Sequence, residues 1–381
     1  MELTFSRSSR NILSRWWWTI DKLLLGIICF LVICGFVLSF SASPAVAERI
    51  HRPTYFFVCH HSIYLCLACL LMLFFSLQDL KWIRRLSLLG FVGVIALLIL
   101  TLFFGYEIKG ARRWIKIGIQ IQPSEFLKPI FIVCTAWLFE MQRQYKNFHG
   151  IAISIATLVL TCGLLLLQPD YGMTTVVFAV WMVQLFLAGV SLKKFIFAAI
   201  IGIIAFALAY LALPHVQTRI AKMLAGMLSG KPAYQVQRSL EAFQNGGLLG
   251  VGSGEGIVKM HIPDAHTDFI FPVAAEEYGL VLCLLIVLAY GVVVIRSMLL
   301  STKEKNMFIV LSVCGLSVSF GLQALINMAS TLQLGPTKGM ALPLISSGGS
   351  SLGGAAIGIG MLLALTRKNI HAEDKDNENI N

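Results

Sequence analysis

Apolar runs of about 20 residues follow one another along this chain of 381 residues, separated by short polar stretches. At 1.5 Å per residue, each run is long enough to cross a hydrocarbon layer about 30 Å thick as a helix. The pattern predicts ten spans, over 23–43, 56–77, 86–104, 125–141, 150–168, 171–189, 195–214, 269–295, 307–328 and 347–366. The fourth and sixth begin beside prolines and polar residues. The runs are continuous, whereas a membrane β-barrel would alternate apolar with polar positions. The predicted fold class is therefore an all-α polytopic membrane protein, a bundle of about ten transmembrane helices. A cytoplasmic leader covers 1–22 and the membrane domain 23–366, with a long extracytoplasmic loop at 215–268. The polar residues 367–381 form a disordered cytoplasmic tail. Ala45-Val46-Ala47 imitates a signal-cleavage site but follows an overlong apolar stretch, so the first span is expected to be retained.

Composition agrees with this picture. Hydrophobic residues make up 57% of the chain and charged residues 13%, about half the share usual in soluble domains. All nine cysteines fall in predicted spans, where thiols behave as small hydrophobes, and no disulfide framework is expected. The net charge of +11 reflects a topological bias and contact with anionic lipid, not nucleic acid. With the N-terminus inside, 17 Lys and Arg flank the spans on the cytoplasmic side, against 7 in the short outer loops (Arg49, Arg52, Lys109, Arg112, Arg113, Lys116 and Lys338). Both termini are thus expected to be cytoplasmic.

Ionisable residues within the spans are expensive and mark candidate function. They are His60, His61, Lys128, Glu276 and Glu277, all in the outer half of the bilayer under this orientation. A proton-driven transporter would carry ionisable groups through its full depth, so the one-sided distribution favours chemistry at the outer surface. "IPDAHTDFIFPVAAEEYGL" (262–280) gathers Asp264, His266, Asp268, Glu276 and Glu277 where a loop enters the eighth span. Pro272 lacks the N–H that would bond the Asp268 carbonyl, so the helix starts near Asp268, and a plain N-cap aspartate is one reading. In the long loop, Ile220, Met223, Leu224, Met227 and Leu228 form the apolar stripe of an amphipathic helix, lying on the bilayer or on the protein's own outer surface. "GVGSGEG" (250–256) has no preceding strand and reads as a loop, not a dinucleotide site. There is no P-loop, and the acidic triplet at Asp374 to Asp376 lies in the tail.

Four strings converge: "GARRWIKIGIQIQPSEFLKP" (110–129), "QPDYGMTT" (168–175), "PDAHTDFIFPVAAEEYGL" (263–280) and "GPTKGMALPLISSGGSS" (335–351). In order and spacing they resemble the SEDS family of shape, elongation, division and sporulation proteins. Ala265 and the "PTKG" string with Lys338 lean toward its division branch. Ser347 stands where the family often has tyrosine, and Asp264 replaces a common glutamate. The resemblance implies a ten-span enzyme of the bacterial inner membrane, acting at the septum, that polymerises lipid II into peptidoglycan strands. It implies a class B penicillin-binding protein and other division proteins as partners.

That reaction joins a sugar 4-hydroxyl to an anomeric carbon bearing undecaprenyl pyrophosphate. It needs a base for the hydroxyl proton and cations for the departing phosphate. No cofactor is intrinsically required, although a divalent cation would be compatible. The resemblance maps the base onto Asp268, with His266 to orient it or cap the turn, and adds Ser350 as a substrate contact. Arg113, Lys116, Arg238, Lys259 and Lys338 are candidates for phosphate contact, although for any single one of them a solvated or head-group-facing cation is the expected reading. Glu125 and Lys128, at i and i+3, can present a charge near the head group or ease each other's burial. Glu276, about 80° round the helix from Asp268 at 100° per residue, is expected to support the site, and Glu277 to face a partner. A lipid II flippase and a non-catalytic scaffold for a transpeptidase are the rival functions.

The charge bias sets a topology that can be checked directly. In a thiol-depleted background, Gln235→Cys should label from outside with an impermeant reagent and Lys303→Cys only from inside. Outside labelling at 303 would overturn the orientation.

Overall fold

The computed structural model describes residues 12–108, 111–212, 217, 218, 221, 225, 233–336 and 339–368. Its helices are α1 (Ile12–Thr19), α2 (Lys22–Arg49), α3 (Phe56–Ser76), α4 (Leu80–Phe104), α5 (Pro123–Gln144), α6 (Gly150–Leu167), α7 (Tyr171–Leu187), α8 (Leu192–Ala212), α9 (Tyr234–Gly246), α10 (Ile270–Ser301), α11 (Met307–Thr331) and α12 (Gly349–Leu365). Each of the ten apolar runs coincides with one of them. Six (α2, α3, α4, α6, α10 and α11) are long and apolar enough to cross a membrane, and α7 and α12 are shorter apolar helices. The amphipathic stretch around Met223 and the tail beyond Lys368 lie outside the described residues.

Local chemistry sets the helix starts. Asp21, Asp170 and Asn306 cap α2, α7 and α11, their side-chain oxygens accepting from Leu24, Met173 and Phe308 N–H. Pro123 opens α5, where its missing N–H costs nothing. Helix α2 runs past its predicted end through Pro44 to Arg49. Among the described residues the main core is an apolar cluster spanning most of the bundle, with α5 and α11 inside it, and smaller clusters lie beneath the 263–269 turn and between α3 and α12. Gln184 of α7 cross-links these two helices: its buried amide donates to Ile132 O (2.8 Å) and Leu311 O (3.3 Å). Away from water such amides are retained only when paired, and this one is.

Both ends of the described chain meet at one end of the bundle. Lys368 N–H donates to Thr19 O (2.9 Å), Arg367 to Gln78 O (2.8 Å), and Arg296 pairs with Asp21 (2.7 Å). The connections 105–122, 213–269 and 332–348 leave from the opposite, loop end. The first holds a small antiparallel sheet that the hydrophobic pattern does not predict: β1 (Tyr106–Ile108), β2 (Ala111–Ile117) and β3 (Ile119–Ile121), in the order β1-β2-β3. Glu107 pairs in register with Arg112, and their side chains form an exposed ion pair at 3.4 Å. The long loop contributes α9 and a short 3-10 turn, Val258–His261.

Helix α10 is broken where it meets that loop. Gly279 has φ 75° and ψ −175°, which removes the helical bonds from Leu280 and Val281 N–H to the Glu276 and Glu277 carbonyls. Segment 247–252 takes over all four groups. Val251 and Gly252 N–H donate to Glu276 and Glu277 O (2.9 and 3.1 Å), while Leu280 and Val281 N–H donate to Gly247 and Leu248 O (3.0 and 3.2 Å). A Cβ at Gly279 would lie 2.3 Å from Leu248 O and 2.4 Å from Gly250 N, so the position tolerates no side chain.

Gly279→Ala should therefore be strongly destabilising, by at least the ~1–3 kcal/mol of a strained left-handed residue plus the clash. Gly291→Ala, on the same helix with open space around it, should be neutral or mildly stabilising. Thermal unfolding of detergent-solubilised protein compares them, and equal melting temperatures would remove this account of the break.

Candidate functional site

The polar residues of the loop end form two connected groups. The first surrounds Asp268, in the half-buried turn 263–269 before α10. The residue at the cap position is Phe269, so Asp268 is not the N-cap that its place before Pro272 suggests. Segment 339–349 holds the turn from the other side. Ser347 N–H donates to His266 O (2.9 Å) and Ser346 Oγ to Thr267 O (2.5 Å), while Ser346 Oγ also accepts from Leu342 N–H (2.8 Å). Asn327 of α11 donates to Asp268 O (2.9 Å) and Met340 O (2.6 Å), clamping turn and segment together. Gly339, at φ 61°, passes close to the Asp268 carboxylate: a Cβ there would lie 3.1 Å from Oδ2. A left-handed glycine thus lets the main chain pass close to that oxygen.

One turn along α11, Gln323 makes a parallel contact. It donates to Ala341 O (3.0 Å) and accepts from Lys128 Nζ, which also pairs with Glu125 at 2.6 Å. Glu125 and Lys128 are buried on α5, forming the i, i+3 pair expected from their spacing. Ser350, at the start of α12, accepts from Gln122 N–H (2.9 Å) just ahead of α5. Because Gln323 and Asn327 share one helix face, the Lys128–Glu125 pair and the Asp268 turn lie about one helical turn apart.

The remaining candidates are placed elsewhere. Glu276 is fully buried and accepts from Asn245 Nδ2 (2.9 Å) and from Val258 and Lys259 N–H (both 2.7 Å), so it fixes the 3-10 turn. Glu277 does not face a partner. It is 1% exposed and ion-paired with Lys259, itself 2% exposed, because a charge at this depth must be matched. That pairing also removes Lys259 from phosphate binding. Arg113 is tied to the α6–α7 turn, donating to Gln168 O (3.0 Å) and Pro169 O with Asp170 3.8 Å away. Arg238 pairs with Glu241 on α9 (2.5 Å), Lys116 is exposed on β2, and Lys338 lies outside the described residues. Among the described residues no three His, Cys, Asp or Glu side chains converge as a metal site.

His266 does not orient Asp268 through its Nδ1, which is buried without a hydrogen-bond partner. The ring packs on Phe57 with centroids 4.2 Å apart. Burial pushes its pKa down from 6.5 to about 4, outweighing Asp264, which acts in the opposite direction. The imidazole is therefore neutral at physiological pH.

A helical bundle with a braced acidic turn and buried ion pairs at one end defines a polytopic membrane protein with a polar site at a bundle face. The chain belongs to the FtsW, RodA and SpoVE family of cell cycle proteins, whose profile matches residues 21–371. It is 38% identical over 369 residues to a probable peptidoglycan glycosyltransferase FtsW of Caulobacter vibrioides, covering 96% of this chain and 93% of that one. The corresponding protein of Legionella pneumophila is 33% identical, with 92% and 91% covered. Among solved structures, a chain from a study of how a peptidoglycan synthase complex coordinates polymerization and crosslinking superposes with TM-score 0.71 at 27% identity, covering 91% of this chain and 97% of that one. The rod shape determining protein RodA of Thermus thermophilus gives 0.68 at 27%, with 92% and 97% covered.

Asn327, Gln323, Ser346 and Gly339 escape the sequence reading, although they hold the site together. The two amides carried a signal, being neutral polar groups inside an apolar run, where hydrogen bonding between helices is their usual role.

The His266 environment sets a pH dependence. The unfolded imidazole takes its proton near 6.5 and the folded one only near 4. Stability is thus undiminished above about 6.5 and is lost progressively as pH falls toward about 4. His266→Asn should flatten that acid limb in thermal unfolding, and an unchanged limb would show that His266 does not control it.

Proposed function

We infer that this protein is a peptidoglycan glycosyltransferase that polymerises lipid II during cell division, at the outer face of the bacterial inner membrane, with both termini cytoplasmic and its place at the septum. The observation that carries the reading is the Asp268 carboxylate. It sits on a half-buried turn clamped by Asn327 and segment 339–349, with Gly339 passing close to Oδ2. A general base must be held in a fixed position to meet the proton it removes.

In the proposed step Asp268 takes the proton from the acceptor sugar's 4-hydroxyl as that oxygen bonds to the donor's anomeric carbon. The bond from that carbon to undecaprenyl pyrophosphate breaks, and its electron pair leaves with the phosphate. Stabilising the departing charge falls to cations of the loop end: Lys116 among the described residues, since Arg113, Lys128, Arg238 and Lys259 each already face a carboxylate, and Lys338 by its place in the 335–351 string. Ser350, Glu125 and Glu276 then act by holding α5, α12 and the turn in place. The partner is a class B penicillin-binding protein, which raises the polymerisation rate.

Asp268→Asn keeps the shape and removes the proton acceptor. With lipid II and the partner supplied, glycan synthesis should fall by about 10²–10⁴-fold, while insertion, folding and partner binding stay normal. Asp264→Asn, on the same turn, should do far less. Near-normal polymerisation by Asp268→Asn would move the base elsewhere.

A further inference from the structure

The break in α10 also fixes a depth. Arg296 and Asp21 mark the end of the bundle opposite the loops. Leu280 lies about 24 Å from Arg296 along the helix at 1.5 Å per residue, short of the about 30 Å of a hydrocarbon core. Segment 247–252 is hydrogen-bonded to Leu280 and Val281 and so reaches that depth. Just above the break, Tyr278 directs its hydroxyl to Ser253 Oγ (3.0 Å) and Ser41 Oγ (3.5 Å), the position of an aromatic ring with one wet end at a membrane boundary.

The segment's side chains match that location. Leu248 and Leu249 are 69% and 80% exposed, on a segment hydrogen-bonded to Leu280 and Val281 of α10, whose side chains are exposed as well. No charged residue occurs between Glu241 and Glu255. Irregular backbone at membrane depth requires partners for its polar groups, and the four-bond exchange with α10 supplies them.

We propose that residues 246–252 form a re-entrant loop that dips into the leaflet at the loop end, the outer leaflet under the charge-derived orientation, and seats Leu248 and Leu249 among lipid acyl chains. The chain then climbs out through Val251 to the 3-10 turn held by Glu276, so the lipid contact sets the height of the Asp268 turn above the bilayer. The inference does not rest on the proposed activity.

The test uses the full chain in phospholipid vesicles, with native cysteines replaced and a nitroxide attached at Leu248→Cys or Leu249→Cys. Collisions with oxygen, which concentrates in hydrocarbon, are compared with those of a water-soluble nickel chelate. Both sites should behave like Leu284→Cys, favouring oxygen, whereas Glu255→Cys should favour the chelate. Two results would overturn the proposal. One is preference for the chelate at 248 and 249, meaning the segment stands in water. The other is shielding from both agents, meaning that protein, not lipid, covers it.

Discussion

Away from water, a backbone group without a partner costs several kcal/mol, and the break at Gly279 frees four of them at once. Much of the loop end follows from how they are satisfied. The carbonyls of Glu276 and Glu277 are taken up by a glycine-rich turn at the depth of the break, segment 247–252. Once it is seated, the Glu276 carboxylate gathers Val258 and Lys259 N–H, and Glu277 neutralises the Lys259 amine. Arg49 of α2 then holds the Met260 and Ile262 carbonyls, and the chain enters the Asp268 turn from a fixed direction.

From the far side the same turn is held by neutral groups. Asn327, Ser346 and the Ser347 N–H all engage main-chain carbonyls of the turn, so its path does not depend on side-chain charge. The charged groups of this end are mostly matched internally, in the Glu125–Lys128, Glu277–Lys259 and Arg113–Asp170 pairs. Such pairs add little net stability because desolvation offsets attraction, but losing one member leaves an uncompensated charge. They serve as rigid cross-links.

The helices were legible because continuous apolar runs leave the backbone little alternative to helix. The sheet at 106–121 was not, since its strands are short and its residues also read as a basic, aromatic loop. At the site, Asp268 and the Glu125–Lys128 pair could be named from position and spacing. The roles of Glu277 and Lys259 were misread because helical geometry places a residue on a face without revealing what folds over that face. Gly279 stood in plain sight within "EEYGL", where an interior glycine suggests weakness. That it marks a junction between two segments depends on partners about 30 residues earlier in the chain, which no local pattern encodes.

The bond from Lys368 N–H to Thr19 O brings the two ends of the described chain to one spot. The helices therefore trace a closed circuit, and the order in which they are connected is separable from the way they pack. Where chain ends adjoin, new termini can be opened at exposed loops and the old ones joined. Here an exposed loop tip with small polar residues, such as Ser253-Gly254, offers an opening far along the circuit. A bundle whose first and last described helices adjoin carries its architecture in its contacts more than in its sequence order.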